Sequence, residues 1–405
     1  KKKIKNKYKT FLYGWFFGFG YFLSSLYWIS ISLTFDINFK LLVPLALILI
    51  PSFLAVFYGI VTYFFFFINL KKPVSNLFLF SLIFGTIEFV RGNILSGFPW
   101  NLIAYSISNK IEIIQITSFI GTYGLNILCI SFFTSPAILI LRENKKEIVI
   151  CIFLLLSPLI LYIFGSSKIK SFESYDLVKN DYVVRIIGSK IDLNRFYGNT
   201  DTSSVVLDLI ELSEPNLNSK TLFIWPEGII PNTNQSELKN FEFLFNKDFN
   251  DNHYIGLGIN NLRKIDKENR YYNSFSFYDN NLNLIDSYNK INLVPFGEFL
   301  PLEKILSKIG LKSLSNNYQS FSSGEKRNII SLNNNDFDVR ILPLICYEII
   351  YSGEIFDDTN FDFIINISED GWFGKSIGPH QHFTHSIFRA IESGKYLLRS
   401  ANNGI

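Results

Sequence analysis

Leu342-Pro343-Leu344-Ile345-Cys346-Tyr347-Glu348 is a short apolar run that delivers a thiol to its end, followed at once by a phenol and a carboxylate. An apolar run of this length reads as a buried strand, which places Cys346 where a packed sheet gives way to a turn. Strand ends on a rigid sheet are where reactive groups are usually presented. A cysteine there is either a nucleophile or a small core residue, and the parts that can reach it decide between the two.

Two other stretches share the design. Thr221-Leu222-Phe223-Ile224-Trp225-Pro226-Glu227 is a buried strand ending in a carboxylate, and Tyr288-Asn289-Lys290 closes an extended segment leading into Leu293-Val294-Pro295-Phe296-Gly297-Glu298. Taken singly, a glutamate after a strand is usually solvated or capping, and a lysine near a turn is usually surface. Together they are a set. A thiol with an ordinary pKa of about 8.5 needs a base to become a thiolate. A buried carboxylate can serve as that base, and an ammonium can stabilise a tetrahedral oxyanion.

The strands belong to the second part of a chain of uneven composition. Of 405 residues 48% are hydrophobic and 42 are Phe, and residues 11–165 are almost entirely apolar whereas 166–405 have ordinary globular composition. Apolar runs cover Phe11–Phe35, Leu41–Leu70, about Val74–Leu95, about Ile113–Leu141 and Ile148–Phe164. The first is long enough for about 30 Å of hydrocarbon at helical rise, and repeated long runs of this kind are integral spans rather than a cleaved signal. Lys1–Lys9, Lys71-Lys72 and Arg142-Lys145-Lys146 fall on alternate connections. The positive-inside rule makes those connections cytoplasmic and puts everything after Phe164 outside the cytoplasm.

Glu88 and Arg91, a helical turn apart in the third run, either pair with each other or face a polar cavity. Gly97-Phe98-Pro99-Trp100 after them reads equally as a re-entrant loop or an interfacial anchor. Beyond Lys170, strands are expected at Tyr182–Ile187, Leu222–Trp225, Tyr254–Ile259, Ser274–Tyr278, Arg340–Ile345 and Phe361–Ile367, and helices around Ser203–Leu212, Glu237–Phe245 and His382–Leu398. The net charge of +3 and the absence of basic residues interleaved with aromatics argue against a nucleic-acid partner. Cys129, Cys151 and Cys346 form no disulfide framework, and His253, His380, His382 and His385 have no Cys or carboxylate cluster with metal-ligand spacing. No metal or cofactor is expected.

Glu, Lys and Cys in this chain order, each ending a strand, resemble the nitrilase superfamily. The words around them resemble its membrane-bound branch, the apolipoprotein N-acyltransferases of Gram-negative bacteria. The likeness is carried by Ile224-Trp225-Pro226-Glu227, by Tyr288-Asn289-Lys290 through Glu298, and by Ile345-Cys346-Tyr347-Glu348. It continues in Trp372-Phe373-Gly374-Lys375-Ser376-Ile377-Gly378-Pro379, in Arg399-Ser400-Ala401-Asn402-Asn403-Gly404 and, in the apolar part, in Glu88 with Arg91 and Gly97–Trp100. The resemblance implies a multi-span α-helical membrane domain over 1–165, a linker over 166–180, and an α/β nitrilase-like αββα sandwich over 181–405. It implies Glu227 as general base, Lys290 as oxyanion stabiliser and Cys346 as nucleophile, with Glu298, Tyr347 and Glu348 supporting and Trp100 and Trp372 contacting substrate. The implied reaction takes an acyl chain from a membrane phospholipid, through a Cys346 thioester, to the α-amine of the diacylglyceryl-cysteine of an apolipoprotein, at the periplasmic face of the inner membrane.

The chain departs from the family pattern in places. Gly228 and Gly371 stand where small non-glycine residues are common, Gly188-Ser189 replaces a Gln-Gly pair, and Phe196 or Tyr197 stands for a Trp. Relative to the family, two initial membrane helices, the end of the catalytic domain and a last helix are missing, so the sequence is expected to be a fragment at both ends. The rival readings are a membrane-anchored amidase, in which water resolves the thioester, and a polytopic protein with a non-catalytic extracytoplasmic binding domain.

Overall fold

The structure is a computed structural model that describes residues 6–68, 70–174, 181–198, 200–265, 267–303, 308, 320–333, 337–353, 355 and 360–405. Lys1–Lys5 of the basic run and residues 175–180 of the expected linker lie outside these. Two compact units emerge: Lys1–Leu177 with Tyr351–Gly353 and Ile391–Gly394, and the rest of the chain from Val178.

The first unit is helical. Helix α1 (Lys7–Leu26) starts at Asn6, whose side chain accepts from the N–H groups of Tyr8 and Lys9 at 2.9 and 3.3 Å, satisfying donors that a helix start leaves open. It packs on α2 (Val43–Phe67) through glycines. A Cβ at Gly14 would sit 2.3 Å from Thr62 Oγ1, and one at Gly18 2.9 Å from Tyr58 Cβ, so only glycine permits the approach. Helix α3 (Pro73–Asn93) follows, with proline in its first turn, where the missing N–H costs nothing. The expected run from Ile113 to Leu141 is divided into α4 (Ile111–Ile114), α5 (Thr117–Thr134) and α6 (Pro136–Leu141). Gly121, at φ 66° and ψ 174°, breaks the helical ladder inside α5, and Pro136 restarts it. Helix α7 (Lys146–Glu173) continues past the apolar run that announced it. Five stretches, Lys7–Thr34, Lys40–Phe67, Pro73–Asn93, Thr117–Thr134 and Lys146–Glu173, are long and apolar enough to cross a membrane.

The charges inside this unit are partnered. Glu88 accepts from Tyr58 Oη at 2.9 Å, from the Asn126 amide and from Arg91 Nη2 at 3.4 Å. Arg91 also donates to the Phe98 carbonyl, which draws the segment after α3 back onto the helix end. Gly97 supplies the left-handed turn at φ 65°. Trp100 is packed inside, its ring 5.0 Å from Trp28 and 6.1 Å from Phe98, so Gly97–Trp100 is folded into the unit rather than hanging as an exposed anchor.

The second unit is built on two sheets. In the first, β1 (Val183–Ile186), β2 (Thr221–Ile224) and β3 (His253–Ile265) are parallel neighbours, and β4 (Glu268–Tyr278) and β5 (Leu284–Asn289) continue antiparallel. In the second, β6 (Ile330–Asn333) pairs antiparallel with β7 (Asp338–Ile345), then β8 (Phe363–Glu369) and β9 (Tyr396–Asn402) add in parallel. Helix α8 (Thr202–Ser213), capped by Asp201, joins β1 to β2 and buries Val205, Val206, Leu209 and Ile210 against Phe223, Trp225, Ile255 and Leu257. The short helix α9 (Glu242–Phe245) adds Phe245 to that core. Helix α10 (Gly378–Ser393) joins β8 to β9. The sheets pack face to face, closely enough that a Cβ on Gly258 of β3 would lie 2.9 Å from Ile367 Cδ1 of β8. This is a helix-covered sandwich, and β2 and β8 are buried along their whole lengths, as strands covered on both faces must be.

The helix expected over His382–Leu398 is corrected. It ends at Ser393, Gly394 turns the chain at φ 63°, and residues 396–402 form β9. Strands β5 and β6 complete the sheets where the sequence offered only an extended segment or nothing.

Candidate active site

Three strands from the two sheets deliver their C-terminal ends to one place. β2 runs through Trp225 and Pro226 to Glu227, β5 leads to Lys290, and β7 leads to Cys346. Cys346 has φ 48°. A left-handed non-glycine residue costs about 1–2 kcal/mol, so the end of β7 is held against its local preference, as at sites where a side chain is presented for use.

What holds it is Glu348. Its Oε2 accepts from Ile345 N at 2.8 Å. Its Oε1 accepts from Ile291 N at 2.9 Å, Asn292 N at 3.2 Å and Tyr288 Oη at 2.6 Å. One carboxylate therefore ties the thiol-bearing strand end to the chain around Lys290. Arg327 backs the clamp, 3.4 Å from Glu348, with further donation to Tyr288 Oη and Asn292 Oδ1 at 2.9 Å each. Tyr347 is buried beside Cys346 and exposes 5% of its surface.

Lys290, exposing 1% of its surface, sits between two carboxylates, with Nζ 2.9 Å from Glu298 Oε1 and 3.4 Å from Glu227 Oε1. Asn273 of β4 bridges the same two oxygens, donating at 2.7 Å to Glu227 and 2.8 Å to Glu298. The remaining oxygens accept main-chain N–H groups, Glu227 Oε2 from Glu369 at 2.9 Å and Glu298 Oε2 from Val294 at 2.8 Å. Burial disfavours the ammonium, but Glu298 and Glu227 outweigh it and hold the Lys290 pKa above its ordinary value. Burial pushes the Cys346 thiol well above its own, and Glu227 pushes the same way, while Lys290 opposes both. At rest the group is a thiol that needs a base, with a permanent cation and a carboxylate in electrostatic reach.

Sequence reasoning assembled Glu227, Lys290, Cys346, Glu298, Tyr347 and Glu348, and all six lie in this cluster. Trp372 lies in the same unit, its ring stacked 5.4 Å from Phe196 and 6.3 Å edge-on from Tyr197. Trp100 belongs to the first unit. Asn273 was missed, because an asparagine in an alternating strand carries no signal of its own. His382, weighed only as a metal ligand, instead lies 3.1 Å from the Cys346 carbonyl. Among the described residues no group of three or more His, Cys, Asp or Glu could hold a metal ion.

Residues 1–134 match the apolipoprotein N-acyltransferase N-terminal domain and residues 220–405 match the carbon-nitrogen hydrolase domain. An apolipoprotein N-acyltransferase from Rhizobium rhizogenes is 30% identical over 98% of this chain and 75% of its own length. Those from Rhodopseudomonas palustris and Wigglesworthia glossinidia brevipalpis are each 32% identical, over 97% and 99% of this chain and 74% and 79% of theirs. The chain belongs to the apolipoprotein N-acyltransferase family. Among solved structures, a cysteine-to-alanine variant of a Nesterenkonia amidase of the nitrilase superfamily is similar at 12% identity and TM-score 0.34, covering 56% of this chain and 79% of its own. A nitrilase-superfamily protein from Saccharomyces cerevisiae follows at 15% and 0.35, covering 54% and 74%. This family member is a multi-pass membrane enzyme, a helical membrane domain followed by a nitrilase-like domain.

Proposed function

We propose that this acyltransferase moves a fatty acyl chain from a membrane phospholipid to the α-amine of a diacylglyceryl-cysteine at the N-terminus of an apolipoprotein, through a thioester on Cys346. Glu227 takes the thiol proton as sulfur attacks the ester carbonyl. The carbonyl π electrons move to oxygen, and that oxyanion is met by the Lys290 ammonium and the Tyr347 main-chain N–H. Collapse expels the lysophospholipid alkoxide, which takes the proton from Glu227, and leaves the acyl group on sulfur. The lipoprotein amine then attacks the thioester, Glu227 accepts its proton, and the departing thiolate recovers one. An amine attacks a thioester far more readily than an oxygen ester, which gives the covalent intermediate its purpose. Glu298 and Asn273 hold the ammonium and the base, and Glu348 holds the strand end.

The observation that carries this reading is a buried lysine between two carboxylates at the end of the strand beside a left-handed cysteine, in a chain with five membrane-length helices among its described residues. Basic connections on alternate loops support an inner-membrane protein whose catalytic unit is periplasmic. The test incubates the full chain with mixed micelles of phosphatidylethanolamine and phosphatidylglycerol and weighs the intact protein. The wild type should gain one fatty acyl mass and Cys346→Ala none, and a diacylated lipopeptide should discharge the adduct onto its amine. No adduct, or an equal one on Cys346→Ala, ends the thioester mechanism. Discharge by water as fast as by lipopeptide would make the enzyme a hydrolase.

A further inference from the structure

His382 is fully buried, and its ring meets the main chain of the nucleophile. Its Nε2 is 3.1 Å from the Cys346 carbonyl oxygen. A carbonyl only accepts, so this nitrogen carries a proton whatever the charge on the ring. The other side of the ring is held too. Nδ1 lies 2.9 Å from Asp370 Oδ1 and 3.0 Å from Arg399 Nη2, and Arg399 is bound to both Asp370 oxygens at 3.0 and 2.8 Å. Arg399 donates as well to Asn366, whose amide donates to the Leu344 carbonyl at 3.1 Å. Phe373 packs edge-on at 5.5 Å. The imidazole is thus fixed from β8, β9 and α10, and it aims one N–H at one carbonyl.

That carbonyl belongs to the peptide unit that also carries the Tyr347 N–H. A peptide is planar and, among the described residues, always trans here, so its C=O and N–H point in opposite directions. A donor that pins the Cys346 oxygen therefore sets the direction of the Tyr347 N–H, next to Cys346, whose φ of 48° is locally unfavourable.

We propose that His382 is a positioning residue. By holding the Cys346 carbonyl it aims the Tyr347 N–H as the second oxyanion donor opposite Lys290, with Asp370 and Arg399 as its backing. This rests on the acyl-transfer reading above.

The test uses the full chain in the same lipid micelles and compares two reactions of Cys346. Acyl uptake passes through an oxyanion, and alkylation by iodoacetamide does not. Loss of one oxyanion donor lowers rates about 10²–10³-fold, so His382→Phe should acylate at least about 100-fold more slowly, with KM for phospholipid and the alkylation rate unchanged. His382→Gln keeps an N–H for the carbonyl and an oxygen for Arg399, and should recover to within about tenfold of the wild type. If His382→Phe does not fold, as judged by thermal unfolding, His382→Met takes its place against His382→Gln. Acylation by the donor-free variant at the wild-type rate overturns the proposal. Alkylation falling in step with acylation also overturns it, since His382 would then hold the thiol rather than the oxyanion donor. A wild type that is alkylated but takes up no acyl group refutes the acyl-transfer reading itself, and this role with it.

Discussion

Asp370 shows at the level of one residue how the site is kept in place. It is fully buried, and burial alone would raise its pKa, but Arg399 and then His382 outweigh burial and hold it below the ordinary carboxylate value. A carboxyl whose folded pKa is depressed contributes stability that is present above its unfolded pKa and is lost as pH falls toward the folded one. Breaking a buried ion pair typically costs about 3–5 kcal/mol. Asp370→Asn should therefore lower the unfolding temperature clearly at pH 7, and the gap to the wild type should narrow once pH falls below about 3.8, the unfolded value. Thermal unfolding of both proteins at pH 7 and pH 3 checks this, and a gap that is constant or widens in acid refutes it. At the same scale, the residues read from the sequence were those with a chemical signature at a strand end: Glu227, Lys290, Cys346. The division of labour between Tyr347 and Glu348 was not legible. It depends on Glu348 receiving N–H groups from Ile345, Ile291 and Asn292, two of which come from a distant part of the chain.

Among the elements, β3 sets the spacing of the site without supplying a reacting group. A Cβ on Gly258 would fall 2.5 Å from Glu227 Cα and 2.8 Å from Gly228 N, both main-chain atoms that cannot swing aside. Gly258→Ala should push the end of β2 and carry the Glu227 carboxylate away from Lys290. Misplacement of a reacting group by about 1 Å can cost about 100-fold. The expected outcome is a comparable fall in the rate of acyl uptake at saturating phospholipid, measured by intact mass over time. Acylation within twofold of wild type would show that the close approach of β3 has no bearing on the base. Elements with a strong period or an unbroken apolar run were the legible ones, as with β2, β7, β8 and α8. Strand β9 was taken for a continuation of α10. Its Tyr396-Leu397-Leu398 suits either state locally, and pairing with β8 decides for strand.

For the whole molecule, the proposed reaction depends on which side of the membrane each connection occupies. The charge pattern predicts Lys40 outside and Lys71 inside, and both lysines are exposed. In spheroplasts expressing a Cys346→Ala background, Lys40→Cys should react with a membrane-impermeant maleimide, and Lys71→Cys should react only after lysis. The reverse pattern would put the catalytic unit in the cytoplasm, away from any exported lipoprotein. By itself the sequence determined the long apolar helices, the strands β2, β7 and β8 and the candidate residues Glu227, Lys290 and Cys346 at strand ends, because each is written in local composition: long apolar runs, short apolar runs, and a titratable residue at the end of a strand. Only tertiary structure decided that Asn273 joins the two carboxylates, that Glu348 clamps the strand end, and that His382 faces the Cys346 carbonyl. Those roles arise when strands far apart in the chain are brought within hydrogen-bond distance, where direction and length matter and residue type alone says little.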